Sequence, residues 1–157
     1  EDTAANDNIS LAYYHYALNL EHKHTEEIRV HSGLLKRPLF VPSVGRYSQG
    51  MVVSIPLQLW SLPSQPKIHE IRDVLADYYA NEKFVVVESE ERTSRVQNNL
   101  NPVSLNNTNQ LKLYVFGNER HKQAVVVAVM DNLGKGASGQ AVQCLNLMLG
   151  LPEEAGL

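Results

Sequence analysis

The sequence predicts an α+β fold, a mixed and mainly antiparallel sheet of four or more strands with the longer helices packed on one face. Three observations carry this. Residues 110–116 alternate apolar with other side chains, 117–120 turn, and the apolar run 124–130 returns, which predicts a hairpin. Ile68, Ile71, Val74, Leu75 and Tyr78 fall at three- and four-residue intervals, the clearest amphipathic helix of the chain. A second helical pattern follows 131–140. The 157 residues suit one domain, 1-157, and 43% apolar residues are enough to fill its core.

Taken in order, Ile9, Leu11, Tyr13, His15 and Ala17 alternate with Ser10, Ala12, Tyr14 and Tyr16, which argues extended backbone over 9–20. The tyrosines read as half-buried packing residues whose phenol ends can hydrogen-bond. Thr25, followed by Glu26, Glu27 and apolar Ile28, predicts a helix start: a capping hydroxyl, acids in the first turn, then the buried stripe. That helix runs to about Val30 and is closed by Ser32 and Gly33. Strands are expected at 39–41 and 51–60, with the loop 42–50 and its Arg46 between them. Pro56 argues for an edge position or a bulge, and alternation from Val53 to Leu59 for one covered face and one wet one.

Pro63 to Pro66 open the amphipathic helix, which ends near Ala80 and Asn81, and the strand at 84–87 is apolar enough to be covered on both faces. Residues 88–109, charged and then asparagine-rich, read as a long exposed excursion. Gly134, Gly136 and Gly139 satisfy G-x-G-x-x-G between a strand and a helix, yet a dinucleotide fold needs a second parallel strand, and none follows before Leu157. A tight turn, close helix packing and a backbone approach to a ligand all stay open for these glycines. The last helix is expected to bury Ala141, Leu145 and Met148, with Val142 and Leu149 beside them and Cys144 toward the core.

Net charge is -3 and the 14 basic residues are dispersed, so no footprint for nucleic acid stands out. A single cysteine precludes an internal disulfide and fits a reducing compartment. No apolar run approaches the roughly 20 residues of a membrane span, and no signal-peptide pattern opens the chain. The polar opening from Glu1, without a methionine, reads as a piece of something longer or a processed precursor.

Chemistry concentrates at His22, Lys23 and His24. In extended backbone two histidines one residue apart point opposite ways, so one of them faces a given ligand. His24, at the mouth of the expected helix, sits where backbone N–H groups favour negative charge and an imidazole can pass a proton near neutral pH. A solvated surface turn accounts for the same triplet. His-x-His also suits zinc, but there is one cysteine and no second ligand pair at characteristic spacing, so no metal is expected. Arg46 either holds a carboxylate or phosphate bidentately or is an exposed loop arginine.

Residues 132–143, the ending Gly150-Leu151-Pro152-Glu153, and 22–28 together resemble the C-terminal domain of the N-acetyl-gamma-glutamyl-phosphate reductases. That family is similar in plan to aspartate-semialdehyde dehydrogenases and, more remotely, to glyceraldehyde-phosphate dehydrogenases. The resemblance spans nearly the whole chain, and departs from the family where many members carry Arg-Gly and this chain has Gln49-Gly50. It implies a substrate-binding and dimerisation domain of an enzyme of arginine biosynthesis. Such an enzyme interconverts N-acetyl-gamma-glutamyl phosphate and N-acetylglutamate semialdehyde plus phosphate with NADP(H). The nucleophilic cysteine and the main NADP site belong to an N-terminal partner domain, so the isolated chain is expected to be inactive. The resemblance also implies His24 as general acid/base, Tyr16 and His22 lining the substrate site, and Lys23 and Arg46 as phosphate or carboxylate contacts. Asn132 with Gly134, Lys135 and Gly136 would touch the cofactor. Self-association through the sheet and a cytoplasmic location, or the mitochondrial matrix in a fungal source, follow on the same ground. The alternative from another class is a non-catalytic α+β interaction or ligand-sensing module.

Overall fold

The computed structural model describes residues 11–96 and 99–157, so Ile9 and Ser10 of the first expected strand lie outside the described residues. The chain divides into two units, Glu1–Ser48 and Gln49–Leu157.

In the first unit β1 (Tyr13–His15) pairs antiparallel with β2 (Ser43–Gly45), Tyr13 opposite Gly45 and His15 opposite Ser43. The expected strand at 39–41 does not form. It lies between Pro38 and Pro42, neither of which can donate to a ladder, and Leu39 is 77% exposed. Helix α1 (Lys23–His31) begins earlier than expected, because its N-cap is His22, three residues before Thr25, which is buried inside the first turn. Its end is as read from sequence: Ser32 N–H donates to Ile28 O at 3.0 Å, and Gly33 turns left-handed with φ +69°.

In the second unit, β3 (Met51–Gln58), β4 (Val85–Val87), β5 (Leu111–Asn118) and β6 (Gln123–Met130) form one sheet in the order β3-β6-β5-β4. Only β4 against β5 is parallel. The class is the expected one. The hairpin β5–β6 turns through a 3₁₀ turn, Glu119–His121, with Lys122 left-handed at φ +48°. Pro56 stands in edge strand β3 opposite Val125, where a missing N–H need not break a ladder.

Helix α2 (Ile68–Tyr78) and helix α3 (Glu90–Val96) both pack against β5, α2 touching β4 as well, and Arg72 reaches Glu90 at 3.4 Å between them. Two carboxylates complement the start of α2, Glu119 accepting from Ile68 N–H at 2.9 Å and Glu70 from Lys67 N–H at 2.6 Å. The contact seam runs along Ile68, Ile71, Arg72 and Leu75, which leaves Val74 and Tyr78 of the expected stripe in solvent.

Three expectations fail here, and in the first two buried polar side chains find partners inside. Residues 88–109 are not an exposed excursion. Leu105 joins Tyr114, Val127 and Val129 in the core, and Glu88 is buried, accepting from Lys112 Nζ at 2.8 Å. Helix α4 (Gly139–Leu149) buries Gln143 and Asn146 while Leu145, Met148 and Cys144 face outward. Strand β4, at the sheet edge, is only half-buried.

The register also aligns Met51, Val53, Ile55 and Leu57 with Met130, Ala128, Val126 and Ala124, and these with Leu111, Leu113 and Val115. Every side chain of that row set is apolar. On β3 it lies at the surface, with Ile55 50% exposed. Among the described residues no helix is long and apolar enough to cross a membrane.

Candidate functional site

The first unit places its chemistry at the start of α1. His22 is extended, φ -131° and ψ 141°, and its Nδ1 accepts the backbone N–H of His24 at 3.1 Å. An atom that accepts an N–H carries no proton, so the neutral His22 ring holds its hydrogen on Nε2. Its ring centroid lies 5.6 Å from that of Tyr16, 5.3 Å from Phe40 and 4.7 Å from His24. His24, in the first helical turn, has its side chain half exposed, and its Nε2 stands 3.7 Å from Glu27 Oε2.

Charged groups surround this cluster. Arg37 Nη2 donates to Leu20 O at 2.8 Å and to Glu21 Oε2 at 2.9 Å, which closes the entry segment. Arg29 Nε donates to Glu26 at 2.9 Å and 3.0 Å, holding that carboxyl below the usual range and the guanidinium above its own. Glu21, His22, Lys23, Glu26 and Arg37 line an open cleft of about 680 Å³. Tyr16, His22, Lys23 and His24 are thus brought together. Arg46 is exposed beyond β2, its N–H donating to Ala12 O at 3.0 Å, and among the described residues its guanidinium makes no hydrogen bond or ion pair. Phe40 and Arg37 were not singled out in the sequence. No periodicity marks a lone aromatic between prolines.

In the second unit the residues from Asp131 to Gly139 are organised by Asp131, 2% exposed. Its carboxylate accepts Leu133 N–H at 2.9 Å, Asn107 N–H at 2.8 Å and Gln49 Nε2 at 2.8 Å. Burial alone would raise its pKa, but these donors, with the Gly134 N–H, outweigh burial and hold it below the ordinary aspartate value. Asn132 Oδ1 accepts Gly50 N–H at 2.7 Å, tying the start of β3 to the end of β6.

A π-helical turn, Gly134–Ser138, then leads into α4. A Cβ on Gly139 would stand 2.3 Å from Asn109 Oδ1, and one on Gly134 3.0 Å from Thr108 O. Of the three readings left open for the glycines, close packing therefore accounts for these two. Lys135 is buried, its Nζ donating to Gln143 Oε1 at 2.6 Å and lying 5.7 Å from the Phe84 ring centroid. Burial lowers its pKa against the pull of Glu153. Gln143 Oε1 also takes Asn109 Nδ2 at 2.9 Å, and Gln143 Nε2 reaches Glu153 at 2.6 Å. Among the described residues no group of three or more His, Cys, Asp or Glu side chains could hold a metal ion.

The family model for the semialdehyde dehydrogenase dimerisation domain matches residues 2–132. An N-acetyl-gamma-glutamyl-phosphate reductase 2 of Nostoc sp. is 51% identical over 144 residues, 90% of this chain and 45% of the relative. The N-acetyl-gamma-glutamyl-phosphate reductase of Trichormus variabilis matches to the same extent, 51% over 144 residues, 90% of this chain and 45% of that protein. That of Brucella ovis is 43% identical over 150 residues, 96% of this chain and 48% of its own length. The chain spans about half the length of the curated relatives it matches.

Proposed function

This chain belongs to the semialdehyde dehydrogenase dimerisation-domain family, and from that premise we propose that it is the substrate-binding and dimerisation part of an N-acetyl-gamma-glutamyl-phosphate reductase. The reaction is the NADP(H)-linked interconversion of that acyl phosphate with N-acetylglutamate semialdehyde and phosphate. The observation that carries the catalytic reading is His24, a half-exposed imidazole at a helix start, beside a cleft with both charge signs.

In this reading a cysteine thiolate on the enzyme's other half attacks the acyl carbon, the bond to phosphate breaks, and His24 holds or delivers the proton that the reacting oxygen requires. Lys23 and Arg37 in the cleft, and Arg46 beyond β2, supply positive charge for the substrate's carboxylate or the departing phosphate. The turn after β6 does not fit a pyrophosphate cradle. Lys135 is tied to Gln143, Asn132 Oδ1 to Gly50, and the space beside Gly134 and Gly139 is filled by Thr108 and Asn109. Asn132 and the peptide units of Gly134 and Gly136 contribute an edge contact to the cofactor, Lys135 fastens them from inside, and the main cofactor site lies in the N-terminal half. A cytoplasmic location accords with the exposed free Cys144.

The test is His24→Gln in the full-length enzyme. A general acid/base is worth about a hundred- to ten-thousandfold in rate, so kcat should fall by that order with KM little changed. A kcat within a few-fold of the parent's removes His24 from the chemistry.

A further inference from the structure

We propose that His22 is a positioning residue: its neutral imidazole caps α1 by accepting the backbone N–H of His24, which fixes the His24 ring, and its protonation releases that ring. The inference rests on His24 being the proton-transfer group, and divides between the two histidines a role that their spacing alone left undivided.

Their surroundings differ. His22 is half-buried against three rings, those of Tyr16, Phe40 and His24, and its Nδ1 is committed to an N–H at 3.1 Å. His24 has one side free, with Glu27 at 3.7 Å on the other. The N–H that His22 accepts is the one belonging to His24, so the cap sets the backbone from which the outer imidazole projects. Thr25, the residue expected to cap, is buried with its Oγ1 unpartnered, and the side-chain cap of α1 is His22.

Protonation of His22 turns the acceptor into a donor. Two N–H groups would then face each other at the cap, and a cation would stand at the positive end of the helix dipole. The groups facing His22 do not reverse this. From α1 come Lys23, Glu26 and the second titratable ring, His24, from the entry segment Glu21, from the segment before β2 Arg37 and Phe40, and from the end of β1 Tyr16. Glu26 is held bidentately by Arg29, and Glu21 Oε2 accepts from Arg37 Nη2 at 2.9 Å. Each carboxylate already faces a guanidinium, which weakens its hold on an imidazolium.

The experiment compares wild type, His22→Leu, His22→Asn and His24→Gln in the full-length reductase, by pH–rate profile and by thermal unfolding against pH. His22→Leu cannot cap and should lose about ten- to a hundredfold in kcat with little change in KM, the signature of a misplaced group. An Asn amide can accept the same N–H at any pH. His22→Asn should therefore recover most of that kcat, and its kcat/KM should fall on the acid side less steeply, by one proton, than wild type. As pH falls, wild type should lose thermal stability that His22→Asn keeps. Identical acid limbs and parallel stability losses in wild type and His22→Asn would overturn the cap. A His22→Leu defect confined to KM would make His22 a substrate ligand instead. If His24→Gln keeps its kcat, the catalytic reading fails, while the stability comparison still decides the cap.

Discussion

Asp131 illustrates at the scale of one residue how a buried charge is kept. Its carboxylate is almost wholly enclosed and takes N–H donors from Leu133, Asn107, Gly134 and Gln49, drawn from separate stretches of the chain. Asp131→Asn places an NH₂ against those donors and should cost about 2–4 kcal/mol, measured by urea unfolding. The pH dependence has a definite sign. A folded pKa below the unfolded one means this stability is present above the ordinary aspartate range and lost as pH falls through the folded value, so acid unfolding should be less steep in Asp131→Asn. Gly139→Ala forces a methyl to within 2.3 Å of Asn109 Oδ1 and 2.9 Å of Gly134 O, and should cost about 1–3 kcal/mol by the same measurement. The histidine pair was legible in sequence because helix-start signals are local. Which ring caps and which stays open was not, because Phe40 arrives from across a proline-bounded loop.

Among the elements, α4 and the stretch before β5 depart furthest from their patterns. Periodicity weighs apolar side chains, and α4 turns its glutamine and asparagine inward, where Lys135, Asn109 and Glu153 wait. Asn146 Nδ2 donates to Glu153 O at 3.0 Å and Ala155 O at 2.9 Å, which settles the rotation of the helix. Cys144 is exposed as a result, and should react with a thiol reagent in the native state, with Cys144→Ser within about 0.5 kcal/mol of wild type. The core position hidden in the asparagine-rich stretch makes the converse prediction. Leu105→Ala should cost about 2–4 kcal/mol, whereas Val74→Ala, on a helix face pointing to solvent, should cost less than about 0.5 kcal/mol by denaturant titration. On α4, where the hydrophobic pattern and a buried asparagine disagree, the hydrogen bonds of Asn146 decided, since an orphaned buried amide costs about 1–3 kcal/mol.

On the scale of the molecule, α2 and α3 pack over the β4–β5 half of the sheet and β3 keeps an apolar row at its surface. We expect a second copy of this chain to cover that row in the assembled enzyme. Ile55→Lys in the full-length protein should weaken the dimer, read as a slower-sedimenting species at micromolar concentration, whereas Ser54→Lys, on the opposite side of the strand, should leave it assembled. The sequence by itself determined the α+β class, the hairpin, the helix at His24 and the likeness to the reductase family, because each depends on order and spacing along a few turns or strands. Only the tertiary structure decided what Lys135 and Asp131 do, which face of α4 is buried, that Leu105 belongs to the core, and that His22 rather than Thr25 caps α1. Those outcomes depend on donors and acceptors brought together from distant parts of the chain, and no local pattern records where a buried polar group will find its partner.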